Sequence, residues 1–144
     1  MKTLNEYLSS VTEREQKITD NLLFAIIKPG FIQHKKAIKE MITSTGYFSI
    51  VRARKTTLSQ EQAAELYTDK KKEDYFDGLV KYMSSGPCII MKIKDNGTAP
   101  HPIKDLIRIK EECREKYGKS PMKNCLHSSD SFKNAEREIK ICFT

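Results

Sequence analysis

One histidine stands out by its neighbours. His127 ends a short apolar step, Cys125-Leu126, and is followed at once by Ser128, Ser129, Asp130 and Ser131. Ser129, Asp130 and Ser131 are all residues that cap helix N-termini. An imidazole beside a helix start, with hydroxyls in reach, suits nucleophilic work at phosphorus. Near neutral pH one ring nitrogen is free to attack while the other is held by a hydrogen bond. The plainer reading of the same pattern is a histidine that closes a loop. A second residue of interest is Lys28, which follows the continuous apolar run Leu22-Leu-Phe-Ala-Ile-Ile27 and precedes Pro29-Gly30. It stands at the C-terminal edge of a buried strand, as an ordinary solvated lysine or as a cation for an anionic ligand.

The elements that must position these residues read as follows. Residues 22–27 form a central strand buried on both faces. Ala37, Ile38, Met41 and Ile42 mark one face of a helix over residues 35–45, closed by Gly46. Residues 48–57 are strand-like, with a register the pattern leaves open: Ile50, Arg52 and Arg54 share a side unless a bulge intervenes. Ser59 and Gln62 form a capping box at the next helix. Tyr75, Phe76, Leu79, Val80 and Met83 mark another, and Gly86-Pro87 leads into a third strand over 88–93. Residues 101–117 read as a helix with Ile103, Leu106, Ile107 and Cys113 inward. A turn or loop over 121–126 leads to His127, and a short helix covers 131–137. Ile139, Ile141 and Phe143 alternate with Lys140 and Cys142, which reads as the fourth strand. The order is that of a ferredoxin-like α+β sandwich, of class α/β: a four-stranded antiparallel sheet with an inserted helical pair. Many functions share that fold.

Length, at 144 residues, fits one domain, with residues 1–20 read as an N-terminal extension and 21–144 as the domain proper. Leu4, Tyr7, Leu8 and Val11 form a stripe on a short helix within the extension. Charged residues make up 31% and the net charge is +7, with basic clusters at Lys35-Lys36, Arg52/Arg54/Lys55, Lys70–Lys72 and Lys116/Lys119/Lys123. Such a surface attracts nucleic acid or a small polyphosphate, or is simply solvated. No aromatic-interleaved basic stretch is present, so a nucleic-acid partner is not expected. No apolar run is long enough to span a membrane, and no secretory signal is visible. The four cysteines, Cys88, Cys113, Cys125 and Cys142, form no CxxC pair. Buried, reduced thiols and a cytoplasmic setting are the expectation.

Asn124-x-x-His127-x-Ser129-Asp130-Ser131 with Glu136-x-Glu138, Ala25-Ile-Ile-Lys-Pro29, and Gly78-Leu-Val-Lys-Tyr-Met-x-Ser-Gly-Pro87 lie in this order. Together they resemble nucleoside diphosphate kinases. The resemblance implies transfer of the terminal phosphate of a nucleoside triphosphate to a nucleoside diphosphate, through a phosphohistidine on His127. It implies that Glu138 orients the ring, that Ser129 supports the site, and that Lys28 and Tyr67 approach the phosphate. Tyr75 would stack on the base beside Leu79, Asn124 would meet the sugar hydroxyl, and Arg114 the phosphates. Mg²⁺ would arrive with the nucleotide phosphates, and the assembly would be a homodimer or a higher homo-oligomer.

Departures accompany the resemblance. The segment between Met83 and His127 is shorter than usual, and the family's first phosphate arginine is replaced by Lys104, or by Arg108 after a register shift. A lysine does not reproduce a bidentate guanidinium clamp. Ser128 stands where glycine is usual, and the shortened segment and missing tail favour the dimer over the hexamer. These departures resemble a divergent group of the family that includes weak or inactive enzymes, so a nucleotide-binding regulatory or scaffold protein is the alternative.

Overall fold

A computed structural model describes residues 21–143; the extension assigned to residues 1–20, with its apolar stripe, lies outside the described residues. The sheet has four strands in the order β2-β3-β1-β4, where β1 is Leu22–Ile27, β2 Phe48–Thr56, β3 Cys88–Asp95 and β4 Leu126–Ser128. Every pairing is antiparallel. The apolar run of β1 makes it the inner strand against both β3 and β4, and five of its six residues are fully buried. Such a strand must be covered on both faces. Helices α1 (Lys35–Thr43) and α4 (Pro102–Tyr117) lie against Leu23, Ala25, Ile27, Met91 and Ile93. Helices α2 (Gln60–Leu66), α3 (Phe76–Met83) and α5 (Phe132–Cys142) lie against Phe24, Ile26 and Ile90. The alternation of β1 therefore feeds two cores. This is the ferredoxin-like α/β arrangement with the helical pair α2–α3 inserted between β2 and β3.

The capping box forms: Ser59 Oγ accepts from the Gln62 amide, and the Gln62 side chain accepts from the Ser59 amide. Strand β2 resolves its open register with a bulge. Ile50 pairs with Ile93, and Arg52 with Lys92, so Val51 is the extra residue and is 57% exposed. Ile50 then packs into the α1/α4 core, while Arg52 and Arg54 cross to the other face and lie over the Phe143 ring.

The fourth strand is not where the alternation of residues 139–143 puts it. Those residues belong to or follow α5, which runs to Cys142, and the strand is the three-residue β4. On α5 the buried set is Ala135, Glu138 and Cys142, at i, i+3 and i+7. Ile139, Ile141 and Phe143 flank that stripe and are half-buried, which produces the apparent period of two. Ser131 starts the helix by accepting from the Asn134 amide.

Because this cap sits outside the residues that touch His127, Ser131→Ala is expected to lower the unfolding free energy by about 1 kcal/mol. Urea titration checks this; an unchanged midpoint would contradict the capped-helix assignment.

Candidate active site

Strand β4 is short because it only has to deliver one residue. Its backbone pairs Ile26 with His127, and Ser129 extends the junction: its amide donates to Phe24 O at 2.9 Å, and its Oγ accepts from the Phe24 amide at 3.2 Å. The Lys28 amide donates to Cys125 O at 3.1 Å on the other side. His127 is thus pinned to β1 above and below, facing the α2/α3/α5 side of the sheet with Phe24. The two rings meet edge-on at 6.2 Å, and Tyr67 meets the imidazole edge-on at 5.4 Å.

The ring nitrogens have different partners. Nε2 lies 3.1 Å from Glu138 Oε1, and Nδ1 lies 3.4 Å from Tyr67 Oη. A carboxylate oxygen accepts, which puts the ring proton on Nε2. Burial, with the Glu138 charge nearby, pushes the Tyr67 phenol far above its usual range. It therefore stays protonated and can donate, and Nδ1 keeps a lone pair. These partners assign the tautomer. Arg137 holds the frame from behind: it donates to Glu65 O at 2.8 Å and Leu66 O at 3.2 Å, tying α5 to the end of α2 just before Tyr67.

His127 opens onto a cavity of about 840 Å³. Cations dominate one wall. Lys28 is only 3% exposed, and its Nζ donates to Met122 O at 3.4 Å. Burial, reinforced by the positive charges of Arg114 and Lys110, lowers its pKa from 10.5 to about 7. Lys110 is lowered as well, by burial first and by Arg114 next. Arg114 commits its Nε to Asn124 Oδ1 at 3.0 Å, which aims the two terminal guanidinium nitrogens. Three cations crowded on one wall form a site for a polyanion. At the other end of the cavity stand Tyr75, 46% exposed, and Leu79. An exposed aromatic next to an apolar side chain suits a flat ring.

Most residues singled out in the sequence meet here: Lys28, Tyr67, Tyr75, Leu79, Arg114, His127 and Glu138 all line the cavity. Four do not. Asn124 is buried, and its amide is spent on Arg114 and on Pro121 O. Ser129 is spent on Phe24. Lys104 points outward from α4, and Arg108 is exposed and pairs with Asp105 at 3.5 Å. Instead Lys110 occupies the cavity wall. Its i, i+4 spacing to Arg114 places both on one face of α4, and that spacing is the signal by which the sequence shows it. Ser128 is a second lining residue not assigned a role from the sequence. All four cysteines are free and buried.

Among the described residues, no group of three His, Cys, Asp or Glu side chains is arranged to hold a metal ion, and no helix is long and apolar enough to cross a membrane.

Comparison with known proteins follows this geometry. Residues 22–144 match the family described as nucleoside diphosphate kinase. The human protein "Nucleoside diphosphate kinase homolog 5" is 34% identical over 128 residues, covering 83% of this chain and 60% of that protein, so the chain spans less than two thirds of its length. "Probable nucleoside diphosphate kinase 5" of Arabidopsis thaliana is 34% identical over 130 residues, covering 82% of this chain and 89% of its own. The crystal structure of the Aquifex aeolicus nucleoside diphosphate kinase superimposes with a TM-score of 0.71 at 26% identity, over 86% of this chain and 95% of that one. The family match, the two relatives and the shared fold agree: the chain belongs to the nucleoside diphosphate kinase family.

Proposed function

We propose that the protein is a nucleoside diphosphate kinase working through a phosphohistidine. The observation that carries this reading is the asymmetry of His127: Nε2 is engaged by Glu138, while Nδ1 keeps its lone pair in a cavity walled by Lys28, Lys110 and Arg114. Nδ1 attacks the terminal phosphorus of a nucleoside triphosphate. The bond from that phosphorus to its bridging oxygen breaks, the electron pair leaves with the nucleoside diphosphate, and the new N–P bond holds the phosphoryl group. The ring keeps its Nε2 proton, and Glu138 offsets the positive charge that develops on it. The reverse step, with another nucleoside diphosphate as acceptor, completes the exchange. The three cations stabilise charge on the transferring oxygens. Tyr75 and Leu79 take the base. Neither reads its hydrogen-bonding edge, so broad base tolerance is expected.

Mg²⁺ fits this site as a companion of the nucleotide phosphates, because that ion keeps most of its waters and needs few protein ligands. Asp69 and Asp130 are the lining carboxylates not used by His127, and they would hold it through its waters. When bound it neutralises phosphate charge.

A second reading, a nucleotide-binding regulatory or scaffold protein with little turnover, draws on the inward-turned Asn124 amide and the lysine in place of an arginine. The human relative's name also reads "homolog". Incubation with ATP labelled in its terminal phosphate separates the two. The kinase reading expects acid-labile label on wild type, lost in His127→Ala and discharged by added GDP. Nucleotide binding with no label would favour the second.

Lys110 belongs to the phosphate wall in this reading. Lys110→Ala is expected to weaken ADP binding by roughly tenfold, about 1.4 kcal/mol. Lys104→Ala and Arg108→Ala are expected to change it little. Calorimetry checks this; the reverse order would contradict the placement of α4.

Lys28 makes binding depend on pH. With a pKa near 7 in the ligand-free protein, it is charged below that value and neutral above it. A bound polyphosphate favours the charged form and raises the pKa, so affinity holds below about pH 6 and falls roughly tenfold by pH 8, with proton uptake on binding. Lys28→Arg stays charged and carries the same ligand titration, so its affinity is expected to stay flat by comparison. Equal pH profiles for the two proteins would contradict a lowered Lys28. For folding the sign is opposite in sense: the charged amine burdens the ligand-free protein below pH 7, and stability rises as pH climbs from about 7 toward 10.5.

A further inference from the structure

Ser128 follows His127 on β4, so its side chain takes the opposite face of the sheet. It pairs with Ala25, whose side chain belongs to the core beneath α1 and α4. The Ser128 side chain therefore takes the face of the sheet covered by α4, the helix that carries Lys110 and Arg114. It is 5% exposed, it lines the cavity, and its Oγ has no hydrogen-bond partner among the described residues. Its neighbour Ser129 is different: that hydroxyl is already taken by the Phe24 amide.

A buried hydroxyl left unpaired costs about 1–3 kcal/mol, and buried polar atoms in folded proteins nearly always find a partner. The chemistry of the wall says what that partner is. In their charged forms Lys28, Lys110 and Arg114 are donors only, so they cannot relieve each other and they collect an acceptor-rich anion. An anion held there offers acceptor oxygens to any donor at the same wall. The hydroxyl rotates freely and can donate to one of them.

We propose that Ser128 is a phosphate-binding residue whose hydroxyl donates to an oxygen of the nucleoside di- or triphosphate held against Lys110 and Arg114. This rests on the nucleotide reading above. The contact stands where the family resemblance expects a glycine, which has no hydroxyl to give. It places one neutral donor among three cations, and so adds a directed hydrogen bond to a site that otherwise binds by charge.

The proposal has a signature that a structural role lacks. Removing an unpaired buried hydroxyl is expected to leave the ligand-free protein as stable or more stable, while weakening phosphate binding. The test compares wild type, Ser128→Ala and Ser128→Thr by thermal unfolding without ligand and by calorimetry with Mg·ADP and with adenosine. For Ser128→Ala we expect an unfolding temperature equal to or above wild type, about tenfold weaker Mg·ADP binding, and unchanged adenosine binding. Ser128→Thr keeps the hydroxyl and is expected to recover most of the loss. Equal Mg·ADP affinity in wild type and Ser128→Ala overturns the proposal alone. So does a Ser128→Ala protein of lowered stability that loses Mg·ADP and adenosine binding together, because that is a packing role. A wild-type protein that binds neither ligand overturns the nucleotide reading, and this inference with it.

Discussion

The 3.1 Å contact between His127 Nε2 and Glu138 Oε1 is the interaction on which the site depends. It joins the edge strand β4 to the C-terminal half of α5, and it fixes which ring nitrogen keeps its lone pair. Both groups are largely buried, so the contact forms where water does not compete strongly with it. The rest of the α2/α3/α5 layer serves it. Ser131 starts α5 at the right place, and Arg137 fixes α5 to α2, which brings Tyr67 to the other side of the ring. Among the described residues Glu138 Oε2 has no partner of its own, and Oε1 makes the contact with the ring.

The opposite layer supplies charge. Helix α4 turns Lys110 and Arg114 toward Lys28, and burial first, with the neighbouring positive charges next, lowers the proton affinity of both lysines. Such a cluster is unfavourable without an anion and becomes favourable with one, so the ligand's charge restores what burial removes. Asn124 belongs to this arrangement as a positioning residue: it binds Arg114 and the loop at Pro121, and in doing so leaves the cavity wall. The site thus has a histidine fixed from one side of the sheet and a cationic wall supplied from the other, meeting at the edge strand.

Much of this was legible in the sequence, and the exceptions have physical reasons. The apolar run of β1 has one interpretation, and so do the Ser59/Gln62 capping box and the inward face of α1. The histidine, its glutamate at a distance of eleven positions and the strand-end lysine were visible as residue types in order. Strand β4 was not, because three residues are too few to show alternation. The flanks of the buried stripe on α5 imitated a strand instead. The register of β2 hung on a single bulged residue, Val51, whose presence no period reveals. Alignment across a shortened segment fixes no helical phase and so points to Lys104 and Arg108, whereas the face of α4 carries Lys110 to the cavity. The partners of Asn124 and Ser129 were not readable for another reason: a side chain's partner depends on what packs beside it, and type alone does not say.

The central claim is that His127 presents Nδ1, and not Nε2, to the phosphoryl group. NMR of protein labelled with nitrogen-15 at histidine, after incubation with Mg·ATP, reads this directly through the coupling between phosphorus and the ring nitrogen that bears it. The account predicts phosphorus on Nδ1 with the proton retained on Nε2 beside Glu138. Phosphorus on Nε2, or an imidazole left unmodified while nucleotide is bound, would contradict it.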